Sequence, residues 1–232
     1  MVAIALIPAR MKSERIPRKN LREIKPGLTL VQQAVDCAVK SGCFSRVIVT
    51  SDEDIPVADA ELIRQPDALS GPQSDISSVA QWLLKEHAPE ADWIATLQPA
   101  VLARSPVIVR DLVTYCVRNE VSGVTMAVSH PWVWSGTASR LSAPWLVNGK
   151  YPRSQHMPHT MVEINSAQVT DAKTASKGER WSMPIAVLGL PYWTQQLDID
   201  TPEQLRDAVD MWPWAESRLA TWRGPIQTFN QG

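Results

Sequence analysis

The sequence predicts an α/β fold built on a mostly parallel central sheet with helices on both faces. Three observations carry this prediction. Continuous apolar runs such as VAIALI (2–7) and RVIVT (46–50) suit strands buried on both faces. Segments with helical spacing of apolar residues alternate with them. The resulting strand–helix–strand–helix rhythm is that of βαβ units.

In chain order, residues 2–7 form the first strand and a basic, proline-containing loop follows. Residues 28–41 read as a helix with Leu30, Ala34, Cys37 and Ala38 on one face. Arg46–Thr50 is a second buried strand, ending in the acidic loop SDED. A helix is expected over 74–87, a strand over Trp93–Leu97, a helix over Pro106–Asn119 and a strand over Gly123–Val128. From about 130 to 180 no period is sustained, and we expect an arm or insertion with short strands. Met183–Gly189 returns to the sheet. Thr201–Ala215 opens as a helix, with Thr201 as the cap, Pro202 at the first helical position and Glu203 at the positive end. The whole chain, 1–232, reads as one domain carrying that arm. In such sheets ligands bind beyond the carboxyl ends of the strands, which singles out the loops at 8–20, 50–54 and 98–105.

Composition excludes several classes. The formal net charge is −1, so the chain as a whole lacks the basic signature of a nucleic-acid binder. The apolar start MVAIALI is too short for a secretory core or a membrane span, and its basic residues follow it. Cys37, Cys43 and Cys116 are odd in number and irregular in spacing, which fits neither a disulfide framework nor a zinc site and suits a reducing cytoplasm. Of ten tryptophans, eight lie after residue 130; packing, in the core or at a subunit interface, and a substrate platform are both open to them.

Two motifs carry chemistry. The first is the loop IPARMKSERIPRKN, which holds Arg10, Lys12, Arg15, Arg18 and Lys19 between a buried strand and a helix, with Arg22 just beyond. Fixed cations and turn amides can neutralise a triphosphate as pyrophosphate leaves, with arginine as a planar fork and lysine as a point charge. The glycines of a Walker loop are missing. A solvated basic loop is the alternative. The second motif is LDIDTPEQL, where Asp198 and Asp200 flank Ile199. Carboxylates two apart on a strand share a side and repel unless positive charge lies between them. Magnesium accepts one or two carboxylates together with substrate phosphates; two capping aspartates ahead of a helix are the alternative reading. His156 and His159 have no third ligand at a sensible spacing.

IPARMKSERIPRKN resembles the N-terminal signature of the sugar-acid cytidylyltransferases, the family that includes acylneuraminate cytidylyltransferases (CMP-sialic acid synthetases) and their pseudaminic and legionaminic acid relatives. Arg10, Ser13, Arg15, Lys19 and Asn20 fall in place. LDIDTPEQL resembles the family's I-D-I-D-T-P-E-D-L. RQPDALSGPQSDISSV resembles the segment bordering the nucleotide base, LQPAVLARSP resembles L-Q-P-T-S-P-L-R, and PRSQHMPHTMVEINSAQV resembles R-R-Q-D-L-P-x-x-Y-x-x-N-G-A-I-Y. SDEDIPVADA resembles the loop after the family's second strand, which makes Asp52 a candidate polar contact or a loop brace.

The resemblance implies a Rossmann-like nucleotidyltransferase fold and transfer of CMP from CTP to a 2-keto-3-deoxy sugar acid. It implies Mg2+ on Asp198 and Asp200, a homodimer, and an acceptor and dimerisation role for the arm. By the same implication Ala9, Arg10, Ser13, Arg15, Lys19, Asn20, Arg64 and Ser78 bind the nucleotide. Gln98, Arg153, Gln155 and Asn165 face the acceptor, and Arg10, Lys19 and Gln98 form the catalytic set. The sequence departs from the pattern at Ala100-Val101-Leu102, which replace Thr-Ser-Pro, at Ser166 in place of glycine and at Val169 in place of an aromatic. These departures leave open a non-catalytic nucleotide-binding descendant, or the same chemistry on a different hydroxylated acceptor.

Overall fold

The computed structural model describes residues 1–71, 74–129, 135–137, 140–142, 153 and 160–230. Strand β1 (Ala3–Pro8) leads through the basic loop to a small hairpin, β2 (Glu23–Lys25) and β3 (Leu28–Thr29), and then to helix α1 (Leu30–Ser41). Strands β4 (Arg46–Ser51) and β5 (Glu61–Arg64), helix α2 (Ile76–Glu86), strand β6 (Trp93–Thr96), helix α3 (Pro106–Asn119) and strand β7 (Ser122–Ser129) follow. After the short pair β8 (Ser135–Thr137) and β9 (Arg140–Ser142) come the long strand β10 (Thr160–Asp171) and the brief α4 (Ala172–Ala175). Strand β11 (Ile185–Leu190), helix α5 (Pro202–Thr221) and strand β12 (Ile226–Phe229) complete the described chain.

Eight strands form one sheet in the order β12-β11-β7-β10-β6-β1-β4-β5. β1, β4, β5, β6, β7 and β11 run one way, while β10 and β12 run antiparallel to their neighbours. Alternation along β1 sorts the core. Ala5 and Ile7 face the layer of α1, α3 and α5; Ile4 and Leu6 face the layer of α2 and α4. The expected α/β sheet with helices on both faces is therefore observed.

Helix boundaries follow local chemistry. Thr29, Asp75, Ser105 and Thr201 each cap a helix by accepting a backbone N–H from its first turn. At α5 the cap is reciprocal, with Gln204 reaching back to the Thr201 N–H. α5 continues to Thr221, past the 201–215 expected from sequence and through Pro213, because Ala215 and Leu219 still pack into the core.

The largest difference from the sequence reading is β10. Residues 160–171, assigned from sequence to the arm, form an antiparallel strand in the middle of the sheet between β6 and β7. The strand escapes a periodicity search because its register shifts between Glu163 and Gln168. Asn165 there has a left-handed φ of 56°. Such a bulge breaks the period of two. The remainder of the expected arm lies mostly outside the described residues, as do Gln155, His156 and His159.

Candidate functional site: a cleft at the carboxyl ends of the strands

A cleft of about 1040 Å³ opens beyond the carboxyl ends of β1, β5 and β6. The loop after β1, the 65–79 segment, the turn after β6, Asn165, Arg180 and Asp200 line it. This is where a doubly wound sheet is expected to take a ligand.

The loop after β1 is held in shape from below. Ala9 N–H donates to the Thr50 carbonyl at 2.8 Å, which extends the β1–β4 pairing by one residue. Ala9, expected from the resemblance to bind the nucleotide, is fully buried and lies outside the cleft lining, between Pro8 and Arg10, which do line it. Asp52 is buried and its Oδ1 accepts the Met11 N–H at 2.6 Å. Asp52 thus braces the loop. Ser13 N–H donates to the Met11 carbonyl at 2.8 Å, closing a tight turn. Asn20, also buried, donates from Nδ2 to the Arg10 carbonyl at 2.9 Å. Met11 and Ile16 are anchored in the core. A loop pinned at these apolar and polar points is a shaped wall, not a solvated ribbon.

Its cations are partly spent. Lys12 lies 3.8 Å from Asp52 and 3.5 Å from Asp67, and Arg18 lies 3.3 Å from Glu53. Arg10 reaches across the cleft to donate to the Gly71 carbonyl at 2.9 Å and makes no ion pair among the described residues. Arg15 and Lys19 meet Asp200 at 3.0 and 3.4 Å, and Lys19 also donates to the Ile199 carbonyl at 2.7 Å. Residues about 180 positions apart in the chain are thereby brought together.

The acidic motif reaches this point through the turn after β6. Leu102 N–H donates to the Leu197 carbonyl and Ile199 N–H to the Ala100 carbonyl, both at 2.9 Å, with a bridge between Val101 and Asp198. Ile199 is fully buried, so the carboxylates on either side of it turn away from the core. Burial, and then the neighbouring Asp200 carboxylate, push the Asp198 carboxyl above its usual range, against the opposing effect of Lys19 and Arg15. Asp200 is paired with Arg15 and Lys19, whereas Asp198 makes no ion pair among the described residues. This donor set fits a hard divalent cation that shares phosphate oxygens. No group of three or more metal-ligating side chains occurs among the described residues. The backbone at Asp200 is fixed from the other side, because Gln204 Oε1 accepts both the Asp200 and Thr201 N–H groups at 2.8 and 2.9 Å.

The acceptor side has a different construction. Gln98 and Ala100 face the cleft, whereas Val101 and Leu102 are core residues. Two of the three lost Thr-Ser-Pro positions therefore serve packing here. Ser166 is fully buried, with its hydroxyl 2.8 Å from that of Thr125, which explains how a serine occupies the glycine position. Val169 is fully buried and takes no part in the cleft wall. Asn165 lines the cleft from the β10 bulge. Arg64 is exposed on edge strand β5 and lies outside the cleft lining, where its neighbour Gln65 stands instead. Ser78 serves the α2 cap, its N–H and hydroxyl directed to Asp75, while Ser77 lines the cleft. Arg153 is exposed, and its neighbours on either side lie outside the described residues.

Two arginines escaped the sequence reading. Arg104 is fully buried and binds neutral acceptors: Gln33 Oε1 at 3.0 Å, the Ser166 carbonyl at 3.0 Å, and the Gln98 and Pro99 carbonyls at 2.5 and 3.4 Å. Burial lowers its pKa to about 10, which leaves it charged at neutral pH. It ties the turn bearing Gln98 to the bulge bearing Asn165. A single arginine inside the apolar run AVLARSPVIV was the available signal, since a buried guanidinium needs several acceptors. Arg180 lines the cleft beside Asn165. It follows a segment without periodicity, and nothing in the sequence marks it.

Comparisons with known proteins show similarity in sequence and in fold. Residues 4–63, from β1 to β5, match the family model described as Cytidylyltransferase. The chain is 26% identical over 217 residues to a CMP-N,N'-diacetyllegionaminic acid synthase of Legionella pneumophila, covering 87% of this chain and 92% of that protein. It is 39% identical over 54 residues, 23% of each chain, to a pseudaminic acid cytidylyltransferase of Campylobacter jejuni. Its fold superposes on a CMP:2-keto-3-deoxy-manno-octonic acid synthetase structure complexed with CTP, with a TM-score of 0.66 at 16% identity over 92% of this chain and 99% of that one. The N-terminal quarter of the chain is thus similar to cytidylyltransferases, most of the chain is similar to a CMP–sugar acid synthase, and the fold is that of the superposed synthetase.

Proposed function

We propose that this protein transfers CMP from CTP to the anomeric hydroxyl of a 2-keto-3-deoxy sugar acid and releases pyrophosphate. The observation that carries this reading is the convergence of Arg15 and Lys19 with Asp200 at the cleft that also holds Arg10. Cations and an acidic pair at one point suit a reaction in which negative charge shifts along a triphosphate. The relatives named for CMP–sugar acid synthesis support the choice of CTP and of the acceptor class.

In this reading Arg10 and Lys19 neutralise the phosphates, and the internal bonds of the Met11–Ser13 turn hold the loop that carries them. Asn20 acts chiefly by holding the Arg10 carbonyl and with it the loop. Gln98 positions the acceptor at the transferred phosphate. Catalysis is mainly positioning and charge neutralisation. Asp198 and Asp200 would hold Mg2+ together with phosphate oxygens, and the ion would supply further positive charge there. The new bond joins the anomeric oxygen to the α-phosphorus, the bond from the α-phosphorus to the bridging oxygen of pyrophosphate breaks, and the hydroxyl proton passes through solvent to the departing pyrophosphate.

Placement in one domain, a homodimer formed through the 130–180 region and a cytoplasmic location complete the proposal. Three free cysteines suit a reducing compartment, and no helix among the described residues is long and apolar enough to cross a membrane. A pyrophosphate-release assay with CTP, Mg2+ and a panel of sugar acids tests the reading. Release that depends on both CTP and a sugar acid is expected. CTP binding without release on any acceptor would instead mark a non-catalytic nucleotide-binding protein.

A further inference from the structure

Among the described residues five cations line the cleft, and four of them, Arg10, Lys12, Arg15 and Lys19, stand on the loop after β1. The fifth is Arg180, from the segment between α4 and β11, on the wall formed by Gln98, Ala100 and Asn165. Its guanidinium is oriented by three side chains. Nη2 donates to Asn165 Oδ1 at 2.8 Å, to Gln168 Oε1 at 3.1 Å and to Glu163 Oε1 at 3.2 Å, and Nε donates to Gln168 Oε1 at 3.3 Å. Trp181 supports it with a ring centroid 4.9 Å from Cζ. The Arg180 carbonyl is itself held by Gln168 Nε2 and Thr170 Oγ1. These bonds use Nε and Nη2, and none among the described residues uses Nη1. With 39% of the side chain exposed, the unused edge is accessible.

We propose that Arg180 is the acceptor's carboxylate anchor, receiving the C1 carboxylate of the sugar acid and setting the anomeric hydroxyl against the transferred phosphate. The inference rests on the sugar-acid reading above and deepens it. A carboxylate adjacent to the anomeric carbon must approach a triphosphate of the same sign. A fixed guanidinium opposes that repulsion where the loop after β1, occupied by phosphate, cannot. Arginine's geometry suits a carboxylate, and an already ordered side chain loses little further freedom on binding. Glu163 is the built-in competitor, since it neutralises part of the same charge.

The test uses 2-keto-3-deoxy sugar acids and their methyl esters with the full-length chain. Arg180→Met is expected to raise the acceptor KM about 10- to 100-fold and leave the CTP KM within about twofold. Wild type is expected to bind the acid more tightly than its ester in calorimetry without CTP, where no transfer occurs, and Arg180→Met to bind both alike. Glu163→Gln separates recognition from architecture. It keeps Asn165 and Gln168 on the guanidinium and removes the competing charge, so acceptor KM should stay level or fall. If Arg180 merely braces β10, Glu163→Gln should weaken the acceptor as Arg180→Met does. An Arg180→Met enzyme with wild-type acceptor KM, or one that still prefers acid to ester, overturns the assignment. Pyrophosphate release by wild type is a separate readout. Its absence with every sugar acid sinks the transfer reading, while the acid–ester preference and its loss in Arg180→Met remain measurable by binding.

Discussion

The two walls of the cleft are built on opposite principles. The donor wall rests chiefly on one continuous segment, Pro8 to Asn20, faced by the 65–79 segment, and its shape is set by short-range bonds and by two neighbours, Thr50 and Asp52. The acceptor wall is assembled from Gln98, Asn165 and Arg180, which are far apart in sequence, and Arg104 holds two of its parts together from inside. A contiguous wall leaves a signature in the sequence, while an assembled wall leaves scattered residues. The contrast also predicts that damage to the two walls has separable consequences.

The largest effect is expected at Arg104. Arg104→Met leaves four acceptors without their donor and should cost about 3–5 kcal/mol of stability, or roughly 10 °C in Tm. Among molecules that remain folded at low temperature, the acceptor KM should rise more than the CTP KM. Equal losses on both substrates would show that the two walls are not separable. Next is the donor wall: Lys19→Ala or Arg10→Ala should lower the rate about 10²-fold, or about 3 kcal/mol, with little change in Tm for Arg10→Ala, whose side chain bonds only the Gly71 carbonyl among the described residues. Asp52→Ala removes the brace beneath the same loop. It should cost about 1–3 kcal/mol of stability and weaken CTP, leaving acceptor binding intact.

Gln204→Ala sharpens the comparison at the junction of the walls. It removes one half of the α5 cap and the acceptor for the Asp200 and Thr201 N–H groups, for about 1 kcal/mol, and should loosen Mg2+ dependence as Asp200 shifts. The smallest effect serves as a control. The hydrogen bond from Arg46, on the far edge of the sheet, holds the Glu61 carboxyl below its usual range. A lowered carboxyl adds stability above its unfolded pKa and loses it as pH falls through the folded one. Glu61→Gln should therefore cost at most about 1 kcal/mol at neutral pH, because Glu61 is half exposed and solvent screens the pair, and nothing in acid. Substrate kinetics should not change.

How much was legible follows the same division. β1, β4, β6, α3 and α5 were readable because burial on both faces and capping chemistry write themselves locally: Ser105-Pro106 and Thr201-Pro202 mark helix starts without tertiary information. The donor loop was readable for the same reason. β10 was not, because its bulge at Asn165 interrupts the alternation. Arg64 and Ser78 were assigned to the nucleotide from the resemblance, and in the fold their neighbours Gln65 and Ser77 line the cleft. A one-residue offset of this kind is finer than a motif match resolves, and the strand and cap geometry decides it. Arg180 was invisible because its role depends on Glu163, Asn165 and Gln168 across the bulge. The substitutions at Val101 and Leu102 looked like damage to the acceptor site, and burial turns them into packing.

The central claim is that both walls serve one transfer reaction. The most direct measurement is pyrophosphate release in a screen that crosses the four ribonucleoside triphosphates with several 2-keto-3-deoxy sugar acids in the presence of Mg2+. The account predicts release with CTP and at least one sugar acid, and none when either is omitted. Release with another triphosphate in preference to CTP, or none in any combination by a protein that still binds CTP, would contradict it.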